Sequence, residues 1–326
     1  MNKNIKLIIN YLLGPLLFVL LTWSLYRQII QQPDLEERWK HIKTSWLDYR
    51  FWVVFLLMFV NWLIEAGKWK ILITPLQKIS LLRSFKAIMA GCSITMLTPN
   101  RIGEYGGRIL FLEEASRLRA ISLTILGSIS QLVITMLMGT AGLFILRSGV
   151  FTRAEDFSSI PWLLSNTLLS LSLFVTVILL LIYFRARLLT GIISKLGFMK
   201  KLVDHIAVMD VLGGKQLLRI LFLSFFRYMV FILQYMLLLE VMEVDIGFPV
   251  SFLLLSGFYL VMLIAPTIGF TELPVRATAS VVLLKVFSSN IIGIQAAALG
   301  IWLINLVLPA IIGSVMILGI KIMKER

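Results

Sequence analysis

Two stretches of this chain set ionisable groups beside helix breakers: LTPNRIGEYGGRIL at 97–110 and IAPTIGFTELPVRA at 264–277. In each, a proline (Pro99, Pro266) is followed by a glycine (Gly103, Gly269), then a glutamate (Glu104, Glu272), and four residues later an arginine (Arg108, Arg276). Glutamate four residues ahead of arginine is the favourable order for an ion pair on one helix face. A helix that starts just after such a break directs free N–H groups and its positive dipole end into the gap. Arg101, Arg108 and Arg276 add guanidinium forks. Together these groups suit capture of an anion, above all a phosphate. The plainer reading is that each pair only neutralises itself at a helix start. Ionisable groups at membrane depth are costly, however, and usually mark function.

Other polar residues stand inside apolar sequence. Arg227 lies within LFLSFFRYMVFIL and is the strongest further candidate for substrate binding. Asn61, Glu65, Gln131 and Gln234 can line the same cavity, and the two glutamines suit interhelical hydrogen bonding. Glu240 and Lys285 read as interfacial side chains. Gly139, Gly142, Gly313 and Gly319 read as helix-packing positions. No nucleotide-binding, nucleophile-elbow or zinc-protease pattern occurs, so no catalytic residue, cofactor or metal is expected. Cys92 is the single cysteine, and His41 and His205 lie far apart, without neighbours at metal-ligand spacing.

The elements that must position these residues are membrane helices. Of 326 residues, 59% are hydrophobic and 15% charged; mean hydropathy is +0.93. No soluble core could hide that much apolar surface. Stretches 6–26, 51–73, 119–146, 161–184, 219–241 and 291–320 are long enough to cross about 30 Å of hydrocarbon. The first of them reads as an uncleaved span rather than a signal peptide. Regions 84–116 and 250–288 are instead pairs of shorter apolar arms around the two broken motifs, which fits re-entrant hairpins. The expected fold is therefore an all-α integral membrane protein with about six full spans plus two re-entrant helical hairpins in an inverted repeat. Counting the hairpins as spans makes eight. The chain reads as one polytopic domain, 1–326, with halves at 1–146 and 161–326.

Charge placement supports this arrangement. With both termini cytoplasmic and both hairpins re-entrant, cytoplasmic segments hold 21 Lys and Arg against 7 on the other side. The positive-inside rule favours that asymmetry. The net charge of +14 then reflects loops facing anionic lipid, and nucleic acid is not an expected partner. Segment 27–50 spaces Leu35, Trp39, Ile42 and Trp46 as one interfacial helix face, and 185–219 reads as a cytoplasmic amphipathic helix.

At Pro99–Glu104 and Pro266–Glu272 the sequence resembles the lysylphosphatidylglycerol synthase transmembrane region, or flippase-like domain, family. The family carries Pro-x-x-x-Gly-Glu after a short apolar arm and a second Pro…Gly…Glu motif in its C-terminal half. The resemblance covers essentially the whole chain and implies movement of phospholipid across a bilayer. Other members accompany glycosyltransferases or lipid-linked sugar pathways. Two departures stand out. The soluble aminoacyl-transferring domain is not seen, so this chain alone is not expected to make lysylphosphatidylglycerol. The span after the first motif reads TILGSISQLVIT, uncharged where many members carry an acidic–basic pair, which argues against a cationic, aminoacylated headgroup.

The function expected is a lipid translocase of flippase or scramblase type. Substrate-binding residues are Arg101, Gly103, Glu104, Arg108, Arg227, Gly269, Glu272 and Arg276, with Pro99 and Pro266 as helix breaks. The expected partner is a membrane lipid with an anionic headgroup, in a bacterial cytoplasmic membrane. Alternatives are an ion- or proton-coupled solute transporter using Glu104 and Glu272, or a non-transporting partner of a lipid-modifying enzyme or glycosyltransferase.

Overall fold

Asp48 starts the first long apolar helix among the described residues. Its carboxylate accepts the Arg50 N–H at 2.8 Å, capping helix α2 (Tyr49–Ile73). The computed structural model describes residues 35–96, 98, 102–148, 162–184, 211–264 and 272–318, with positions 23, 26, 27 and 30. Every element among them is helical. Ahead of α2 lie α1 (Leu35–Thr44) and a 3₁₀ turn (Ser45–Leu47). Then follow α3 (Leu81–Met96), α4 (Gly103–Ile109), α5 (Glu114–Arg147), α6 (Trp162–Phe184), α7 (Gly214–Val241), α8 (Phe248–Ile264) and α9 (Glu272–Leu284). The last span is α10 (Ile291–Trp302), a π turn (Leu303–Val307) and α11 (Leu308–Leu318).

Among the described residues, five helices are long and apolar enough to cross a membrane: α2, α5, α6, α7 and the α10–α11 run. They match five of the six expected spans. Of the sixth, 6–26, only positions 23 and 26 are among the described residues, and most of the expected amphipathic stretch 185–219 lies outside them. The protein is an all-α, multi-pass integral membrane protein.

Helix α3, with 16 residues, and α8, with 17, are about 24–26 Å long, short of a hydrocarbon core. The first pair of arms is more uneven than expected. Its second arm, α4, has only seven residues. The chain then turns through Leu110–Leu112, and Glu113 adopts an extended conformation that starts α5 five residues before the expected 119. The side chain of Gln77 fixes this corner by accepting the Glu113 N–H at 3.2 Å.

Close helix contacts rest on small residues. A Cβ on Gly103 would overlap the Ile94 carbonyl, and one on Gly107 would sit 2.5 Å from that of Ala90. α4 therefore lies antiparallel on α3, backbone against backbone. Gly139 and Gly142 of α5 receive Leu260 and Ser256 of α8 in the same way, and Gly313 of α11 receives Met89 of α3. These three glycines do the packing their sequence setting suggests; Gly319 lies outside the described residues.

The contacts follow an exchange pattern. α2 and α7 cross antiparallel, with Arg50 meeting Glu240, Gln234 the Val54 carbonyl, and Arg227 meeting Asn61. α3 packs on α11, the end of the second half, and α8 packs on α5, the end of the first. Glu104 to Glu272 and Arg108 to Arg276 are both steps of 168 residues, and the same step carries α3 onto α8.

Candidate functional site

Asn61, Glu65 and Lys68 recur at four- and three-residue steps, so they share the face of α2 that meets α7. That face carries the main polar cluster. Glu65 is its hub. Oε1 lies 3.0 Å from Arg108 Nη2 of α4; Oε2 lies 2.7 Å from Lys68 Nζ and 3.1 Å from Arg227 Nη1 of α7. Arg108 also pairs with Glu104, as their spacing predicts. The Arg108 side chain is 3% exposed, Lys68 1% and Glu65 4%, whereas Arg227 is 20% and Glu104 27% exposed. The cluster thus closes inward and opens at Glu104 and Arg227.

Neutral polar groups hold the cations in place. Lys68 Nζ donates to the Gly127 carbonyl at 3.3 Å and to Ser224 Oγ at 3.5 Å, and Ser224 Oγ lies 2.8 Å from Ser130 Oγ. Arg227 donates from Nε to Asn61 Oδ1 at 3.0 Å and from Nη1 to Gln131 Oε1 at 3.4 Å, while its guanidinium lies 5.2 Å from the centre of the Trp62 ring. Asn61 donates to Asn305 Oδ1 at 3.2 Å. Asn305 sits in the π turn, a local widening that often marks functional positions.

The second motif builds a different centre. Arg276 Nη2 donates to Glu272 Oε1 at 2.9 Å, again the expected pair, and both side chains are 8% exposed. Its guanidinium lies 5.7 Å from the Phe258 ring centre. Tyr259 packs edge-on to Phe258, Phe231 and Tyr228, and Tyr235 bonds Ser280 Oγ at 2.7 Å. Positions 168 residues earlier than Phe258 and Tyr259 are Ala90 and Gly91. Arg108 lies across Gly91, whose added Cβ would sit 3.2 Å from Arg108 Cγ. The small residues let Arg108 reach Glu65, and the aromatic ones wall Arg276 in. Among the described residues, Arg276 Nε and Nη1 and Arg108 Nε have no hydrogen-bond acceptor.

Of the expected site residues, the structure brings together Glu104, Arg108 and Arg227, and pairs Glu272 with Arg276 beside the aromatic group. Gly103 is buried against α3, with its N–H bonded to Thr98 Oγ1 at 2.8 Å. Arg101, Pro99, Pro266 and Gly269 lie outside the described residues. Gln131 and Gln234 bond across helices as expected, to the Ser224 and Val54 carbonyls. Glu240 lies at the rim beside Arg50, and Lys285 is exposed. Sequence reasoning counted Lys68 and Arg108 with cytoplasmic basic segments; the structure buries both because Glu65 and Glu104 supply their counter-charges. The signal for Lys68 was the Asn61–Glu65–Lys68 spacing on a single helix face. Asn305 and Ser224 were missed outright, since a lone amide or hydroxyl in an apolar span carries no pattern.

No curated protein and no solved structure matches this chain. The profile of the family described as the lysylphosphatidylglycerol synthase TM region matches residues 11–313. That is nearly the whole chain and includes every helix that forms the two centres. The protein therefore belongs to the lysylphosphatidylglycerol synthase transmembrane-region family.

Proposed function

We propose that this protein is a lipid translocase of flippase or scramblase type that binds an anionic phospholipid or lipid-linked headgroup through the arginines of its two broken-helix motifs. One observation carries the reading. Arg108, from the first motif, and Arg227, from the middle of α7, converge on one buried carboxylate within a membrane chain of a phospholipid-handling family. Two guanidinium groups set around a common oxyanion are what a phosphate headgroup requires. Glu104 and Glu272 orient Arg108 and Arg276, and the reading assigns the chain no covalent step.

The antiparallel α2–α7 crossing and the exchanged α3–α11 and α8–α5 contacts support an inverted repeat, with both hairpins re-entrant. Both termini then face the cytoplasm across the cell membrane. Without Lys68 and Arg108 the asymmetry of basic residues still stands at 19 against 7.

The test is translocation of fluorescent phosphatidylglycerol in proteoliposomes. Wild type is expected to move the lipid, and Arg108→Gln and Arg276→Gln to slow it by about tenfold or more, as loss of a charged hydrogen bond implies. Equal rates for wild type and the Glu104→Gln/Glu272→Gln double variant would remove the motifs from the site. A second reading rests on Glu104, the most exposed member of the cluster and so the one best placed to exchange a proton. Solute uptake driven by a pH gradient, without lipid movement, would replace translocation by proton-coupled transport.

A further inference from the structure

The charges of the central cluster do not balance. Counted at formal charge, Lys68, Arg108 and Arg227 bring three positive charges, and Glu65 and Glu104 bring two negative ones. An uncompensated charge in a buried cluster is unfavourable, and one additional monoanion would bring the cluster to neutrality. The donors are also in excess. Arg108 Nη2 serves both Glu65 and Glu104, while Nε of the same buried side chain has no acceptor among the described residues. Glu65 has somewhere to retreat. Lys68 lies three residues further along the same helix, 2.7 Å from Oε2, and is held independently by Gly127 and Ser224.

We infer that Arg108 and Arg227 form a seat for a phosphodiester monoanion, and that Glu65 is the internal anion holding this seat while no ligand is bound. The inference rests on the anion-binding reading above and adds a ligand class and a mode of entry. On binding, the non-bridging oxygens of the phosphodiester take the Arg108 and Arg227 donors that Glu65 releases, together with Arg108 Nε. Glu65 keeps Lys68. Arg108 stays paired with Glu104, so the loaded cluster sums to zero. A phosphomonoester, with a charge nearer two at neutral pH, overshoots that balance. The seat therefore selects diesters over monoesters.

Two neighbouring substitutions should then act in opposite directions. Glu65→Gln vacates the seat and should tighten phosphodiester binding about tenfold, because self-occupancy lowers apparent affinity by the unoccupied fraction. Lys68→Met removes the retreat partner, fixes Glu65 on the arginines and should weaken binding about tenfold by the same relation. The double variant keeps the wild-type net charge but has no Glu65 for Lys68 to hold, so it should bind within about threefold of Glu65→Gln rather than of wild type. The purified full chain in maltoside is titrated with glycerophosphoglycerol, with short-chain phosphatidylglycerol and with inorganic phosphate at fixed salt, and each variant's melting transition confirms folding.

Opposite shifts in the single variants, with the double variant tracking Glu65→Gln, uphold the seat; shifts of the same sign or none, or a double variant that returns to wild-type affinity as charge addition alone predicts, overturn it. Inorganic phosphate binding as tightly as the diesters overturns the ligand class. Phosphatidylglycerol binding far more tightly than glycerophosphoglycerol identifies the source as lipid, and equal affinity identifies it as a free phosphodiester; the seat stands in both cases. Wild type that binds diester without moving phosphatidylglycerol removes the translocase reading and leaves the seat in place.

Discussion

Arg227 Nη1 lies 3.1 Å from Glu65 Oε2, and Arg227 is the fourteenth of the 28 residues of α7. At 1.5 Å per residue it stands about 20 Å from either end of its helix, too deep for its side chain to reach headgroups. A guanidinium at that depth needs a partner. Glu65 provides the charge, Asn61 and Gln131 provide acceptors, and Trp62 provides a ring face. The position calls for the planar fork as well as the positive charge.

Arg227→Lys should accordingly keep the attraction to Glu65 and lose the directed bonds to Asn61 and Gln131. About 1–2 kcal/mol of stability should go with them, as for charged hydrogen bonds at a partly open site. Arg227→Met should cost more, about 3 kcal/mol, because it leaves part of a buried carboxylate uncompensated. Melting temperatures in detergent rank the three proteins, and lysine behaving no better than methionine would contradict the charge pairing.

Gly313 and Gly67 separate packing from propensity. A Cβ on Gly313 meets the Met89 carbonyl, which belongs to a helix backbone and cannot swing aside; nothing lies within 4 Å of one on Gly67. Gly313→Ala should destabilise by about 1–3 kcal/mol through forced separation of α3 and α11. Gly67→Ala, inside α2, should stabilise by about 0.5–1 kcal/mol. Thermal melts of the two single variants suffice, and a stable Gly313→Ala would deny the close approach.

Asn305→Leu tests the π turn. It removes the oxygen that accepts from Asn61 Nδ2 at 3.2 Å and leaves that buried donor without its partner. The expected loss is about 1–3 kcal/mol. Because Asn61 also orients Arg227, combining Asn305→Leu with Arg227→Lys should give less than the sum of the two losses. Strict additivity in that cycle would show that Asn305 acts alone.

Outside the membrane, the Arg50 guanidinium hydrogen-bonded to Asp48 holds its carboxyl below the usual carboxylate range. A depressed value means that the contribution of Asp48 is complete above its unfolded value, 3.8, and is lost as pH falls through the lower folded value. Asp48→Asn keeps a capping oxygen but not the charge. Wild type should therefore melt above the variant at pH 7, and the gap should close below about pH 3.8, the unfolded carboxylate value.

The elements were legible in the sequence because apolar length in a membrane chain has few uses. Spans beginning near 51, 161 and 219 appear as helices beginning at 49, 162 and 214. The Glu–Arg pairs were legible too, since four-residue spacing fixes a shared face before any tertiary contact exists. The asymmetry between the two centres was not. It depends on Ala90 and Gly91 standing where the other half has Phe258 and Tyr259, and those residues read simply as apolar until the hairpins are laid together. Lys68 was misplaced for a related reason. A lysine near a helix end looks like a loop residue unless Glu65, one turn earlier, is known to face inward.

The exchanged short helices bear on how the chain is made. Ser93 of α3 hydrogen-bonds the Ala310 carbonyl of α11, a partner 217 residues away. If helices enter the membrane in order of synthesis, α3 and α4 arrive long before the surface that covers them. Until α11 emerges, the backbone of α3 around Met89 and Ser93 has no cover from that side. Closing so long a segment is entropically tolerable but slow to complete. A ribosome that stalls before α11 is made therefore leaves the α3 backbone around Met89 and Ser93 facing lipid on that side, and synthesis of α11 is the step that first covers it.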